Sequence, residues 1–444
     1  MTILQITPGA GAMYCGNCLR DNALVATLRK MGHAVQMVPL YLPLTLDEED
    51  QSNDTPIFFS GINVYLDQKS ALFRGAPGWL HNLLTSRRLL KWAACRAAKT
   101  RAQELGDMTL SMLRGEAGNQ ARELDDLLAW LKTKPNPDII CLSNGLLVGI
   151  LHRLKTELRA PVVCMLQGED GFLDSLPEPA RAQCWKTLAE RAAEADMLTA
   201  PSHYFARLMS QRLNVPSERV RVIYNGINLS GYSDATPSAG KKESSPPVLG
   251  YFARMCREKG LDTLVEAYVL LRRHERIKNL KLRIGGSCGP ADEPFVNDLR
   301  ERLRNAGVLE HVTFHPNLDR NAKVEFLRSL SVLSVPARYS EAFGLYVIEA
   351  LAAGVPVVQP RTAAFPELIE ATGGGLLCEP NDPASLADMT ENLLLNNERA
   401  RELGERGRRA VFEKFSSDVM ARESLAAYQH IIQTSAARRS LLPA

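Results

Sequence analysis

The sequence predicts an α/β protein of two domains, each built around a parallel sheet. Short apolar runs alternate with helical patterns along the chain, which is typical of parallel strands joined by helices. The 444 residues exceed the length that one hydrophobic core usually supports. A segment rich in Ser, Pro, Gly and Lys, residues 234–247, separates two halves and indicates a flexible linker. We therefore expect two Rossmann-like domains that face each other across a cleft.

Twelve short apolar runs are predicted to be strands. In the first half they are residues 2–7, 34–39, 138–142, 161–166, 197–200 and 220–224. In the second half they are residues 248–253, 280–285, 312–314, 331–335, 355–359 and 375–378. The first domain then covers residues 1–233, and the second covers residues 248–415.

Each half opens with a strand, a glycine turn and a helical pattern. Gly9 and Gly11 follow the first strand, and small residues there let the backbone approach a ligand closely, although tight packing is the alternative. The turn lacks the third glycine of a dinucleotide fingerprint. Because an acidic partner after the second strand is missing as well, the pattern disfavours an NAD-dependent oxidoreductase.

The composition is that of an ordinary globular protein, with 45% hydrophobic and 23% charged residues. The net charge of +3 is close to neutral and no nucleic-acid-binding motif occurs, so we expect no nucleic-acid partner. The first residues lack the pattern of a secretory signal, and no apolar stretch reaches the roughly 18 residues of a membrane span. We expect a cytoplasmic protein.

Nine cysteines, an odd number scattered over a long chain, argue against a disulfide scaffold. Cys15 and Cys18 have the spacing of a redox or zinc motif, but no second Cys or His pair lies at a suitable separation. We interpret them as structural or loop-shaping residues, with a metal or redox role as the alternative.

Two carboxylates, Glu341 and Glu349, are separated by seven residues within 340–350. If the strand at 331–335 leads into a loop and a helix starts near Phe343, Glu341 lies at the loop edge and Glu349 lies inside the helix. The N–H groups of such a helix start favour a phosphate. An ionised Glu accepts hydrogen bonds from the hydroxyls of a sugar or ribose. The alternative is an amphipathic helix with two solvated carboxylates.

Two cations, Arg254 and Lys259, follow the strand at 248–253 and precede a helical pattern that starts at residue 261. At the carboxyl end of a strand, five residues apart across a turn, they can reach both sides of a diphosphate. Two surface cations beside a helix are the alternative interpretation.

Together these residues resemble the donor site of retaining glycosyltransferases of family 4, which have the GT-B fold. In that family an Arg and a Lys hold the diphosphate of a nucleotide-sugar, a first Glu meets the sugar, Phe-Gly-Leu amides help the leaving group, and a second Glu binds ribose. The resemblance places these roles, in that order, on Arg254, Lys259, Glu341, Phe343, Gly344, Leu345 and Glu349.

The resemblance extends over most of the second half. Residues 363–367 resemble a Gly-Gly-x-Pro-Glu segment, with Ala363 and Ala364 in place of the glycines, which we expect to stiffen the loop. Gly9 and Gly11 take the place of a glycine loop that contacts donor phosphate or acceptor. Residues 416–444 resemble a terminal helix that crosses back and packs on the first domain.

The first half matches less well. Family members often carry a histidine that helps to hold the donor sugar, and this chain has Gln167 at that position. A glutamine can donate an amide hydrogen bond to a sugar hydroxyl but cannot be cationic. In retaining members of this fold the departing phosphate is thought to take the acceptor proton, so no dedicated carboxylate base is required. We expect Gln167 to act at the donor sugar, with Glu341, Arg254 and Lys259 as the other catalytic residues.

No two aspartates are separated by a single residue, so the Asp-x-Asp metal clamp of the other major glycosyltransferase fold is missing. Charge on the leaving diphosphate would be neutralised by Arg254, Lys259 and helix amides. We expect no metal site and no cofactor other than the nucleotide-sugar co-substrate, which is UDP- or GDP-linked.

Residues 41–134 are predicted to be a helical insert that meets the acceptor. A basic helical pattern with two tryptophans, near residues 79–101, is consistent with peripheral contact with an anionic membrane. A helix whose apolar face packs on its own domain is the alternative, and the ordinary case in globular proteins.

The sequence thus predicts a metal-independent, retaining glycosyltransferase, a hexosyltransferase, that uses a nucleotide-sugar donor. Its acceptor would be a carbohydrate, a lipid-linked molecule or a small molecule. The alternative is a catalytically silent nucleotide-sugar binding or scaffold protein of the same fold.

Overall fold

The computed structural model describes residues 1–9, 15–52, 55–59, 102–232, 246–274, 276–277 and 279–440. They form two compact units. The first unit combines Met1–Tyr224 with Met420–Ala444, and the second unit is Asn225–Val419. The predictions for Gly11, for most of the linker and for the basic helix near 79–101 lie outside the described residues.

The first unit contains a six-stranded parallel sheet in the order β2-β1-β3-β4-β5-β6. Its strands are β1 (Thr2–Thr7), β2 (Ala34–Pro39), β3 (Ile139–Leu142), β4 (Val162–Met165), β5 (Met197–Ala200) and β6 (Val220–Val222). Its helices include α1 (Gly16–Lys30), α2 (Ala102–Arg114), α3 (Ala121–Leu131), α4 (Leu151–Leu158), α5 (Glu169–Asp174), α6 (Ala180–Ala192) and α7 (His203–Leu213).

Burial on both faces of the sheet explains why these strands are apolar runs. In β1, Ile3 lies opposite Val35 of β2 on one side and Ile139 of β3 on the other. All three are buried in one core, as is usual in parallel sheets covered by helices. The terminal helix (Ser417–Ser440) contributes Ala427 and Tyr428 to the same core.

The second unit contains a six-stranded parallel sheet in the order β12-β11-β10-β7-β8-β9. Its strands are β7 (Val248–Phe252), β8 (Lys281–Gly286), β9 (Val312–Pro316), β10 (Val332–Leu333), β11 (Val357–Pro360) and β12 (Gly375–Cys378). Its helices include α8 (Leu261–Arg273), α9 (Glu293–Asn305), α10 (Arg320–Arg328), α11 (Leu345–Ala352), α12 (Phe365–Thr372), α13 (Pro383–Leu395) and α14 (Asn397–Lys414).

The direction of strand addition reverses at β7. Strands β8 and β9 follow on one side of it, whereas β10, β11 and β12 lie on the other. Ligands of open parallel sheets bind at such a reversal, beyond the carboxyl ends of the strands. The loops that follow β7 and β10 therefore define the candidate site of this unit.

The twelve predicted strands are all present, and their ends differ from the predicted ones by no more than two residues. β10 is shorter than predicted because the chain turns after it, where the Ala337 N–H donates to the Val335 carbonyl at 2.8 Å. Residues 225–232 group with the second unit, where the Ile227 N–H donates to the Phe415 carbonyl at 2.9 Å. Among the described residues, no helix has the length and apolar character needed to cross a membrane.

Candidate functional site

The turn after β7 and the loop after β10 touch at Gly260. This residue has a φ of +70°, and a Cβ here would lie 1.9 Å from the carbonyl oxygen of Pro336. Only glycine permits such an approach. The contact holds Lys259, the last residue of a 3-10 helical turn (Arg257–Lys259), beside the loop that carries Glu341.

Glu341 accepts three hydrogen bonds at one carboxylate oxygen. Its Oε2 lies 2.5 Å from Lys259 Nζ, 2.9 Å from the Tyr346 hydroxyl and 3.0 Å from the Tyr339 hydroxyl. The side chains of Glu341 and Lys259 are only 13% and 19% exposed. The ammonium also lies 4.8 Å and 5.0 Å from the ring centroids of Tyr339 and Tyr346, where cation–π attraction holds it.

The electrostatics of this cluster keep the carboxylate charged. Burial alone would raise the pKa of Glu341, but the charge and hydrogen bond of Lys259, followed by the two tyrosine hydroxyls, outweigh it and lower that pKa below 4.5. Burial and the nearby Glu341 carboxylate raise the pKa of both Tyr339 and Tyr346. At neutral pH the site therefore holds an ionised Glu341 and two protonated tyrosine donors.

Phe343, Gly344 and Leu345 connect this carboxylate to the start of α11. Gly344 precedes the helix with a φ of +97°, a conformation that glycine adopts without steric cost. Phe343 is buried, and its ring centroid lies 6.0 Å from that of Phe415. The helix begins two residues later than predicted, so the amides of its first turn, which favour an anion, lie just beyond Gly344.

Glu349 lies within α11 and forms an ion pair. Its Oε1 is 2.8 Å from Nζ of Lys323, which belongs to α10. The two side chains are 15% and 7% exposed, respectively. Glu349 is thus a largely buried carboxylate with a fixed cationic neighbour, and an ionised carboxylate retains capacity to accept further hydrogen bonds.

Arg254 follows β7 but has a different partner from Lys259. Its Nη2 lies 2.9 Å and its Nε lies 3.1 Å from Oδ1 of Asp292. The hydrogen bond with Asp292 raises the pKa of the guanidinium. Its side chain is 47% exposed, whereas Asp292 is 8% exposed. The guanidinium is held on one side and remains accessible to solvent on the other.

Ala363 and Ala364, which stand in place of the two glycines of the family segment, differ in backbone conformation. Ala363 has a φ of +53°, in the left-handed region that side chains disfavour. Ala364 has an ordinary φ of −79° and precedes α12. Its N–H lies 3.3 Å from the Glu341 carbonyl oxygen, so this loop packs against the backbone of the candidate site.

The candidate residues of the first unit occupy two loops. Gln167 follows β4, and its backbone N–H lies 2.9 Å from each carboxylate oxygen of the buried Glu169. Glu169 also accepts from the Gly145 amide at 2.7 Å, which ties the loops after β3 and β4 together. Gly9 has a φ of +75°, and a Cβ there would lie 1.8 Å from the Leu42 carbonyl oxygen, so packing alone requires a glycine.

Sequence reasoning missed the partners of each candidate charge. Tyr339 and Tyr346 lie close to Glu341 in sequence, and their hydroxyls could have been considered as donors. Lys323 and Asp292 are remote from Glu349 and Arg254, by 26 and 38 positions. No local sequence pattern indicates Lys323 and Asp292, because the packing of α10 and of the loop before α9 brings them to their partners.

Solved structures with the same architecture identify the fold. Sucrose-phosphate synthase from Thermosynechococcus elongatus superposes with a TM-score of 0.70 at 18% identity, over 98% of this chain and 100% of that one. The HepE protein of Anabaena, in complex with UDP, superposes with a TM-score of 0.67 at 16% identity, over 97% and 100%. Together with the two parallel sheets, they define this chain as a GT-B protein.

Two family models match the sequence within this fold. The model described as glycosyl transferases group 1 matches residues 233–410, and the model described as glycosyltransferase family 4 matches residues 108–230. The chain belongs to the group 1 glycosyltransferases of family 4.

Curated relatives, a synthase and a glycosyltransferase by name, match parts of the chain. N-acetyl-alpha-D-glucosaminyl L-malate synthase of Bacillus anthracis is 27% identical over 54% of this chain and 61% of its own length. D-inositol 3-phosphate glycosyltransferase of Xylanimonas cellulosilytica is 26% identical over 66% of this chain and 68% of its own length. The chain thus spans about three fifths of the length of the first of these relatives.

Proposed function

We propose that this chain is a retaining glycosyltransferase that moves a sugar from a nucleotide-sugar donor to an acceptor hydroxyl without an obligatory metal ion. The observation that carries the proposal is the Glu341 cluster. A charged, largely buried carboxylate is held by Lys259, Tyr339 and Tyr346 directly before the first turn of α11. Such an arrangement presents an acceptor for sugar hydroxyls beside amides that favour a phosphate.

The donor diphosphate would bind between Arg254 and the start of α11. Arg254 is oriented by Asp292 and remains half exposed, so its outer face can donate to a phosphate oxygen. Lys259 supplies a second positive charge five residues later. Two cations and the helix amides can offset the charge that develops on the leaving diphosphate, which is the role that a divalent ion would otherwise fill.

The ribose would be bound by Glu349. Its pairing with Lys323 fixes the carboxylate in one orientation, and a preorganised acceptor loses less entropy when a ribose hydroxyl binds. Lys323 is therefore a positioning residue for the nucleoside end of the donor.

In the reaction, the bond between the anomeric carbon and the diphosphate oxygen breaks while the acceptor oxygen bonds to the same face of the sugar. The acceptor proton passes to the departing phosphate oxygen. Glu341 would hold the sugar while its ring gains positive charge, so its own negative charge stabilises the transition state more than the ground state. Gln167, in the first unit, is proposed to hydrogen-bond the donor sugar in place of a histidine.

UDP-sugars are the first donors to test, because HepE of Anabaena was crystallised with UDP and with UDP-glucose. GDP-sugars are the second class. The names of the relatives include malate and inositol 3-phosphate, so small hydroxylated anions are the first acceptors to test. Carbohydrate and lipid-linked acceptors follow.

The test combines a thermal-shift screen of nucleotides and nucleotide-sugars with single-turnover transfer in the presence of a chelator. A ligand at 100 times its dissociation constant should stabilise the protein by roughly 2.7 kcal/mol. Transfer with retained anomeric configuration is the expected result. Tight nucleotide-sugar binding without transfer or donor hydrolysis would favour a silent binder, and an inverted product would contradict the retaining mechanism.

A further inference from the structure

The start of α1 places two cysteines of the first unit on one helical turn. Cys15 occupies the N-cap position with extended backbone dihedrals, and its carbonyl accepts the Leu19 N–H at 3.0 Å. Cys18 lies within the helix and is completely buried, whereas Cys15 is partly exposed. Residues three apart at a helix start lie on the same face, so the partly exposed residue Cys15 and the buried Cys18 share one face of the first turn.

Buried polar groups surround the inner thiol. The Thr7 hydroxyl, at the end of β1, donates to Oδ2 of Asp21 at 2.7 Å. Asp21 is also paired with Arg20, with 2.9 Å between Nη2 and Oδ1. Arg20 in turn donates to the Ser143 carbonyl at 3.1 Å, just after β3. Hydrogen bonds thus connect the start of α1 to the carboxyl ends of β1 and β3, where the direction of strand addition reverses in this unit.

The two thiols differ sharply in acidity. Hydrogen bonding with the Cys18 side chain, together with the backbone amides of Cys18 and Asn17, lowers the pKa of Cys15 to about 7. Burial and the negative charge of Asp21 oppose this shift. The hydrogen bond with Cys15, burial and Asp21 raise the pKa of Cys18. A thiolate at a helix N-terminus beside a protonated partner is the arrangement of reactive cysteine pairs.

The other partly exposed thiols in the described part of the chain lack this environment. Burial raises the pKa of Cys256 to about 11, and burial with the nearby Asp292 also raises the pKa of Cys288. The same described residues contain no group of three or more potential metal ligands, so Cys15 and Cys18 have no described partners with which to complete a zinc site.

We propose that Cys15 and Cys18 form a dithiol–disulfide site that exchanges with small-molecule disulfides, with Cys15 as the nucleophile and Cys18 as the resolving thiol. This differs from the structural role that the sequence favoured. It is independent of glycosyl transfer, and its readouts require no sugar donor.

The exchange proceeds in two steps. The Cys15 thiolate attacks one sulfur of R–S–S–R, that bond breaks, and R–S⁻ departs and takes a proton from water. Cys18 then loses its proton through the Thr7 hydroxyl to Asp21, whose pKa is raised chiefly by burial, and attacks the Cys15 sulfur. The second R–S⁻ departs and is protonated. In sum, two protein thiols are oxidised to one disulfide and R–S–S–R is reduced to two R–SH.

The test treats the reduced full-length chain with oxidised glutathione at neutral pH, followed by acid quench, alkylation and peptide mapping. Wild type should yield a Cys15–Cys18 disulfide peptide. Cys18→Ser should stop at a glutathione adduct on Cys15, and Cys15→Ser should form neither product at Cys18. Peptide mapping separates these products from Cys95 and from all other cysteines.

A second measurement does not depend on the variants. The alkylation rate of Cys15 in wild type should reach half its maximum near pH 7, while Cys256 in the same sample serves as the internal control and should be at least tenfold slower at that pH. The proposal is overturned if wild type forms no intramolecular disulfide, if Cys18→Ser carries no adduct on Cys15, or if Cys15 reacts no faster than Cys256.

Discussion

Lys259 and Glu341, 82 positions apart in sequence, form an ion pair with 2.5 Å between Nζ and Oε2. The pair joins the turn after β7 to the loop after β10. Two residues that the sequence placed on separate motifs therefore act as one group, so a change at either alters the environment of the other. The variants below separate binding of the donor from its reaction.

Replacing the cations that are proposed to bind the diphosphate should weaken nucleotide binding. Arg254→Ala and Lys259→Ala each remove a charge-assisted contact, and each should cost about 1.5 to 3 kcal/mol of nucleoside diphosphate affinity. Calorimetric titration measures this. Arg276→Ala, a change of an arginine that is 63% exposed and paired with Glu391, is the control and should leave affinity unchanged. Unaltered affinity in both Arg254→Ala and Lys259→Ala would refute the assignment of the donor site.

Glu341→Gln should reduce turnover far more than nucleotide affinity. The amide keeps the shape of the side chain but removes the charge that is proposed to stabilise the sugar in the transition state. Single-turnover transfer, or donor hydrolysis where no acceptor is known, should slow by at least about 100-fold. Glu379→Gln, at a side chain that is 66% exposed in the same unit, is the matched control. Equal rates in wild type and Glu341→Gln would place the catalytic centre elsewhere.

Glu349→Ala should reduce nucleotide affinity more than turnover, the reverse of the effect expected for Glu341→Gln. Loss of the proposed ribose contact should weaken nucleotide binding by about 10- to 100-fold, as expected for hydrogen bonds to a charged group. The single-turnover rate at saturating donor should change only a few-fold. Lys323→Met leaves the carboxylate in place but removes its partner, so it should weaken binding less than Glu349→Ala does. A larger loss in Lys323→Met would mean that the lysine itself contacts the donor.

The Glu341 cluster should make stability depend on pH in the acid range. The folded-state pKa of Glu341 is below the unfolded value of 4.5, so its ionised form stabilises the fold above that pH, and this contribution is lost as the pH falls through the folded-state pKa. The difference in free energy of unfolding between wild type and Glu341→Gln should be constant between about pH 7 and 5 and shrink at lower pH. Urea titrations across this range measure it. A difference that grows on acidification would contradict the lowered pKa.

Ala363→Gly should be neutral or stabilise the fold by up to about 1 kcal/mol. Glycine adopts the left-handed backbone conformation of Ala363 without strain. The greater conformational freedom of glycine in the unfolded chain offsets part of this gain in stability. Ala364→Gly is the paired control, because its φ is ordinary and its methyl group is buried. It should destabilise by about 1 kcal/mol. Urea denaturation compares the two, and the reverse order would show that Ala363 is not strained.

The twelve strands were predictable because a buried parallel strand must be a short apolar run wherever it occurs. The resemblance predicted a terminal helix over residues 416–444, and the helix spans Ser417–Ser440, the last described residue. Helix and strand identity are encoded by periodicity within about ten residues, so one sequence suffices. The roles of Arg254, Lys259, Glu341 and Glu349 were suggested by motif spacing and stay predictions until they are tested.

By itself the sequence determined the two parallel sheets and the order of their strands along the chain. Only the tertiary structure decided which charges meet: Lys259 with Glu341, Lys323 with Glu349, and Arg254 with Asp292. The physical reason is the topology of a parallel sheet. β10 pairs directly with β7, with Val332 opposite Leu249, although two other strands intervene in sequence. Helical crossovers thus bring distant loops to one edge, and side-chain partners there are chosen by packing rather than by sequence neighbours.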